Sequence, residues 1–173
     1  MTQTFAKLSG RAWVFGDNID TDVLAPGAYM KLPIAEAAKH CLEAANPNFA
    51  GQVEAGDIVV AGANFGLGSS REQAAQALKE LGIAAVLARG FARIFYRNAI
   101  NLGLPAIFFA PTNEVSLHDR LEIDLTRGAV HNCTTGKTYA VDPIPAHLLE
   151  LLRDGGLIPH LARKLKRSGG VSV

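Results

Sequence analysis

Residues 57–109 read DIVVAGANFGLGSSREQAAQALKELGIAAVLARGFARIFYRNAINLGLPAIFF, and the fold turns on how they are parsed. Residues 57–61 (DIVVA) are a β-branched strand, and 64–68 (NFGLG) are a glycine loop. Residues 70–81 read as a helix with Ala74, Ala75, Leu78 and Leu81 on one face and Gly82 closing its end. Residues 83–88 (IAAVLA) are a second buried strand. Strand, loop, helix, strand is a βαβ unit, which predicts parallel strands and a right-handed crossover. The pattern then repeats. Residues 91–102 are helical with Phe91, Ile94, Phe95 and Leu102 toward the core, Gly103 ends the helix, and 105–109 (PAIFF) are a third buried strand.

Upstream, 11–15 (RAWVF) read as a short strand and 16–27 as a polar, turn-rich loop. Ile34, Ala37, Ala38, Cys41, Leu42 and Ala45 recur at helical spacing, with Pro33 at the first turn and Pro47 beyond the end, so 33–45 are expected to form a helix. Downstream, 121–125, 130–134 and 138–141 alternate around turns at Arg127-Gly128 and Thr135-Gly136, an antiparallel meander. Helices over 145–153 and 157–166, split by Gly155-Gly156, close the chain, and 168–173 read as a frayed tail. The expected class is α/β: one domain over 1–173 with a parallel βαβαβ core and an antiparallel excursion. In open α/β sheets ligands sit beyond the carboxyl ends of parallel strands, here the loops after Ala61 and Ala88.

A chain of 173 residues suits one domain with a sizeable core. A hydrophobic fraction of 49% against 19% charged excludes a disordered polyelectrolyte. Seventeen Lys+Arg balance sixteen Asp+Glu, so charge makes no case for nucleic acid or an anionic membrane. The basic run at 163–167 reads as a solvated helix end. No apolar run approaches the ~20 residues of a membrane helix, and residues 1–10 lack a signal pattern. A cytoplasmic protein is expected. Cys41 and Cys133 allow at most one disulfide, and none is expected in a reducing compartment. Two thiols cannot hold an iron–sulfur cluster unaided, and no HExxH or His/Cys ligand spacing is present. No metal is therefore assigned to this chain. His118-Asp119 and His131 read as surface or turn residues.

The strongest candidate for chemistry is NFGLGSSRE, residues 64–72. Gly66 and Gly68 allow close backbone approach to a ligand. A helix start attracts an anion, and Arg71 adds a planar fork that grips a carboxylate through two hydrogen bonds. Ser69 and Ser70 supply hydroxyls at the same place. The plainer alternative is a capping box, Ser69-x-x-Glu72, with glycines that merely turn the chain. A P-loop lysine is absent and Arg71 occupies the place of the third glycine of a dinucleotide fingerprint, so a small carboxylate fits better than a nucleotide. The second constellation is GDNIDTD, residues 16–22. It lacks EF-hand spacing and reads as Asx turns that shape a loop, with orientation of Arg71 or a partner residue as a further use. The third is FARIFYRNAIN, residues 91–101, where Arg93 and Arg97 share a face and Asn98 and Asn101 recur at i, i+3. Arg97 and Asn98 either solvate the surface, brace the neighbouring loop or bind a second carboxylate.

Four runs in order carry a resemblance: Gly16-Asp-Asn-Ile-Asp-Thr-Asp-Val with Pro26 and Tyr29; Asn64-Phe-Gly-x-Gly-Ser-Ser-Arg-Glu-Gln-Ala; Phe91-Ala-Arg-Ile-Phe-Tyr-Arg-Asn; and Asn101-Leu-Gly-Leu-Pro. From about residue 11 to residue 161 the chain resembles the small subunits of 3-isopropylmalate dehydratase, the separate swivelling domain of the aconitase superfamily. The resemblance implies a swivelling β/β/α domain and a hydro-lyase completed by a large subunit carrying a [4Fe–4S] cluster on three cysteines, with no cofactor in this chain. It implies Ser69 as the base that removes and returns the substrate proton, and Ser70 and Arg71 as ligands of a substrate carboxylate. Tyr29 and Lys31 join the substrate-binding set. Asp20, Asp22, Asn64, Gly66, Gly68, Glu72, Arg97 and Asn98 support it.

The implied substrate is a small di- or tricarboxylate. The 3-isopropylmalate/2-isopropylmalate pair of leucine biosynthesis comes first, and homoaconitate, citramalate, dimethylmalate or maleate come next. A non-catalytic anion-binding module is the alternative from another class. The chain departs from the family pattern in two places. Leu67 stands where many relatives carry Cys, and Met30-Lys31-Leu32 stand where Leu-Arg-Thr is common. Lys31 keeps the charge there but loses the fork.

Overall fold

The computed structural model describes residues 6–169. Its strands are β1 (Lys7–Val14), β2 (Ile58–Ala61), β3 (Ala85–Ala88), β4 (Ala106–Phe108), β5 (Arg120–Asp124), β6 (Ala129–Asn132) and β7 (Thr138–Ala140). Its helices are α1 (Thr21–Leu24), α2 (Ile34–Ala37), α3 (Phe49–Gln52), α4 (Glu72–Glu80), α5 (Arg93–Asn101), α6 (Ala146–Arg153) and α7 (Leu157–Gly169). The strands form one sheet in the order β4-β3-β2-β1-β5-β6-β7. The pairs among β1 to β4 are parallel and those from β1 through β7 antiparallel, as the βαβαβ reading and the meander require.

Strands β2 and β3 are buried on both faces, so they read as continuous apolar runs rather than alternating ones. Val59, Ala61, Val86 and Ala88 enter the core that Ala74, Ala75 and Leu78 of α4 close. Ile58, Val60, Ala85 and Leu87 enter the opposite core, with Leu121, Ile123, Val130 and Leu152. The two-residue period of each strand thus serves two layers.

Strand β1 joins the halves. Its residues Ala12–Val14 pair in parallel with Ile58–Val60, while Lys7 through Arg11 pair antiparallel with Asp124 through Arg120. It is longer than the expected 11–15, because KLSG is too weakly apolar to announce a strand and is recruited by its neighbour β5. Gly10 sits at this change of partner, where a Cβ would lie 2.0 Å from the Gly56 carbonyl oxygen.

The expected helix over 33–45 is a correction. It is α helix only over Ile34–Ala37 and a 3₁₀ turn over Ala38–His40; Cys41 is extended and Leu42 has φ +60°. The Leu42 N–H donates to the Val23 carbonyl at 3.0 Å, and Cys41 and Leu42 are fully buried. A tertiary bond and burial outweigh the helical period. Asp119, read as a surface or turn residue, closes a turn with Ser116 but is buried there, where its carboxylate accepts from the Ser116 N–H and Asn132 Nδ2. Ser168 and Gly169 are helical rather than frayed, since α7 runs through them; the rest of the expected tail, 170–173, lies outside the described residues. Cys41 and Cys133 are free thiols.

Below the sheet edge, Asp57 is only 3% exposed. It accepts from Trp13 Nε1 at 2.9 Å, the Glu54 N–H at 2.9 Å and Arg11 Nη2 at 3.0 Å. Burial pushes its pKa upward most strongly, yet the Glu54 N–H, Arg11 and Trp13 together hold it below the ordinary carboxylate value. A depressed folded-state pKa contributes stability that is present above the unfolded value of about 4 and is lost as pH falls through the folded one. Asp57→Ala is therefore expected to lower unfolding free energy at pH 7 by about 2–4 kcal/mol. Urea titrations should show the gap to the parent chain narrowing below about pH 4. An equal gap at pH 7 and pH 3 contradicts this account.

Candidate active site

The loop between β2 and α4 is strapped to the loop between β1 and α1. Gly66 N–H donates to the Ile19 carbonyl at 2.7 Å, and Thr21 N–H to the Leu67 carbonyl at 2.8 Å. Asn64 Nδ2 donates to Asn18 Oδ1 at 3.0 Å, and both residues hold left-handed φ near +60°. The carboxylates of GDNIDTD each have a task. Asp17 accepts from the Ala63 N–H at 2.7 Å and pairs with Arg89. Asp20 caps α1 by accepting from the Val23 N–H at 2.8 Å. Asp22 pairs with Arg71. The expected Asx-type shaping of this loop and the orientation of Arg71 are both present.

Gly66 and Gly68 have φ of +82° and +116°. The space a Cβ would take at each is filled by the chain itself. A Cβ at Gly66 would lie 2.3 Å from Phe95 Cγ, and one at Gly68 would lie 2.9 Å from Thr21 Oγ1. The anticipated capping box does not form either. Helix α4 begins at Glu72 with Arg71 as its N-cap, and no side chain caps it. Ser69 turns instead to Thr21, whose Oγ1 accepts the Ser69 N–H at 3.1 Å and lies 3.3 Å from Ser69 Oγ. A hydroxyl that already accepts from that N–H has its own proton to offer to Ser69 Oγ.

Ser69 and Ser70 are exposed, and Arg71 is half-buried. Arg71 Nη1 donates to Asp22 Oδ1 at 2.9 Å and to the Ala25 carbonyl at 3.0 Å. The Arg71 guanidinium, seconded by the Gly27 N–H, holds the Asp22 carboxyl below its ordinary pKa. Both bonds engage Nη1, so Nη2 and Nε of Arg71 have no partner among the described residues. A fixed guanidinium with a free edge beside two exposed hydroxyls can take a carboxylate.

These groups line an open cleft of about 680 Å³ with Met30, Glu72 and Gln73, and with Ile94, Arg97 and Asn98 of α5 across from them. Ile94, read as a core residue, is 45% exposed here; the buried face of α5 is Phe95, Ala99 and Ile100. That face is set by packing on Phe65 and Phe91, which shifts the apolar stripe off Ile94. Tyr29 and Lys31 do not line the cleft. The Tyr29 ring stacks on His40 at 3.6 Å between centroids and lines an adjoining apolar pocket, and Lys31 is exposed. Gln73 went unread as a cleft residue, and Thr21, buried behind the loop, went unread as the partner of Ser69. Only Thr21 left a signal, as a hydroxyl placed between Asp20 and Asp22.

No group of three His, Cys, Asp or Glu could hold an ion among the described residues. Burial pushes the Cys41 thiol far up, and Cys133, exposed after β6, is raised by desolvation and then by Glu122. Among the described residues no helix is long and apolar enough to cross a membrane.

Residues 33–112 match the family model of the aconitase C-terminal domain. The chain is 52% identical to 3-isopropylmalate dehydratase small subunit 1 of Thermotoga maritima, with 90% of this chain and 95% of that one covered. It is 48% identical to the methanogen homoaconitase small subunit of Methanothermobacter thermautotrophicus, with 91% and 92% covered. The solved structure of 3-isopropylmalate dehydratase from Methanocaldococcus jannaschii superposes with a TM-score of 0.88 at 44% identity, covering 95% of this chain and 99% of that one. The swivelling-domain fold expected from the resemblance is the fold found.

Proposed function

Because this chain belongs to the family of 3-isopropylmalate dehydratase small subunits, we propose that it is the small subunit of a heteromeric hydro-lyase that isomerises a substituted malate, with 3-isopropylmalate as the first substrate. The observation that carries the reading is Ser69, exposed on an open cleft beside an Arg71 already fixed by Asp22. Arg71 and Ser70 hold a substrate carboxylate, which sets the reacting carbons in register. Ser69 Oγ then takes the proton from the carbon next to the one that carries the hydroxyl. Loss of hydroxyl leaves a carbon–carbon double bond, and addition of water in the opposite sense returns the proton from Ser69.

A serine needs its pKa lowered to act as a base. The Thr21 hydroxyl at 3.3 Å and the Arg71 charge favour the alkoxide. The departing hydroxyl requires a Lewis acid, which a [4Fe–4S] cluster in the large subunit supplies when bound. No group of ligands among the described residues would hold that cluster, which supports reading the cleft as half of a site.

The identity to a homoaconitase small subunit favours a second substrate class, with an acidic side group. Lys31, exposed next to the cleft residue Met30, is the position that would sort the two. The test is to mix the chain with its large subunit and assay 3-isopropylmalate, homoaconitate, citramalate, dimethylmalate and maleate. Turnover of none of them removes the reading. Lys31→Arg is expected to change the ratio of kcat/KM between 3-isopropylmalate and homoaconitate by about 3-fold or more, because a fork replaces a point charge. An unaltered ratio takes Lys31 out of substrate selection.

A further inference from the structure

Two cations line the cleft, and they are in opposite states. Arg71 is committed through Nη1 to Asp22 and the Ala25 carbonyl. Arg97 makes no hydrogen bond or ion pair with any described residue, while Arg11, Arg71, Arg89, Arg127 and Arg163 each have an aspartate. A guanidinium that faces a cleft without a counter-charge is a site for an anion that arrives from outside. We infer that Arg97, with Asn98 beside it, is the second carboxylate grip of the cleft, facing the one made by Ser70 and Arg71. This rests on the reading above and names how the two ends of its substrate are held.

Charge and rigidity both favour Arg97. A hydroxydicarboxylate brings two negative groups, and one guanidinium edge takes one of them. Glu72 is the one acid lining the cleft, so on this chain's side Arg97 is the remaining cation that a second carboxylate can meet. Arg97 rises from a fixed backbone, since Phe95, Ala99 and Ile100 bury the other face of α5. Asn98 is half-buried on the next position and offers an amide N–H. Ile94, one turn earlier, makes that wall apolar, which strengthens a charged hydrogen bond there.

The test uses the complex with the large subunit and Arg97→Ala and Arg97→Lys. Arg97→Ala is expected to raise KM for 3-isopropylmalate about 10–100-fold, with kcat falling far less. Arg97→Lys should recover part of the loss, and sedimentation should show assembly intact. In parallel, the isolated full-length chain is titrated with malate by NMR, where Arg97→Ala should weaken binding at least about 5-fold. A KM and a malate affinity equal to those of the parent chain overturn the inference. So does a KM increase that disappears at saturating large subunit, which would make Arg97 a docking residue. If the parent complex turns over none of the five candidate substrates, the proposed function falls, and the malate titration still judges Arg97.

Discussion

Ser69→Ala is expected to lower kcat of the assembled enzyme by about 10²–10⁴-fold, the range for loss of a positioned proton-transfer group. Binding of the large subunit should stay within about 3-fold of the parent, because only one exposed hydroxyl is deleted. The fold should tolerate the change. The backbone N–H of residue 69 still reaches Thr21 Oγ1, and that bond at 3.1 Å is the stronger of the two made there. KM should move little, since the proposed carboxylate grip through Ser70 and Arg71 is left in place. The measurement is steady-state turnover beside sedimentation of the same mixture. Residual activity within tenfold of the parent would remove Ser69 from proton transfer and leave it a loop residue.

The second large effect is on stability. Gly66→Ala places a methyl group at φ +82°, which costs about 1–2 kcal/mol for an L residue. It also drives Cβ into Phe95, which is 2% exposed and locked by rings of Phe65 and Phe91 with centroids at 5.1 and 6.2 Å. Overpacking of this kind adds about 1–3 kcal/mol. A total of about 2–5 kcal/mol is a large share of the 5–15 kcal/mol that holds a domain folded. Urea denaturation should show the midpoint moving down at an unchanged slope. Phe95→Leu placed on top of Gly66→Ala should return part of the loss, since it relieves the collision while the backbone strain stays. A Gly66→Ala chain as stable as the parent would show that the loop relaxes freely, and the rigid seat argued for Ser69 would go with it.

Both effects come from the same short segment, and they separate what was legible from what was not. The parallel βαβαβ core was legible because its strands are continuous apolar runs and its helices carry a single apolar stripe, closed by Gly82 and Gly103 at positive φ. The place of the Ser-Ser-Arg run, on a loop at the carboxyl end of a parallel strand, was legible because it follows an apolar strand and opens a helix. The helix over 33–45 was not, because the period of its apolar residues is helical whether they face one neighbour or two. Cys41 and Leu42 leave the helix to meet Val23. Ile94 misled for a related reason, since a side chain at a cleft mouth and one in a core have the same composition.

From the chain of residues alone came the class of fold, the parallel order of its central strands and the chemical types gathered at 64–72. These are local properties: period, turn residues and the charge of a fork. Only the folded arrangement decided that Thr21 accepts from Ser69, that Asp22 fixes Arg71 and that Arg97 faces them unpaired. The bonded pairs stand 48 and 49 positions apart in sequence. No local pattern encodes such a distance; it is set when β1, β2 and β3 pair and bring their carboxyl-end loops to one edge of the sheet.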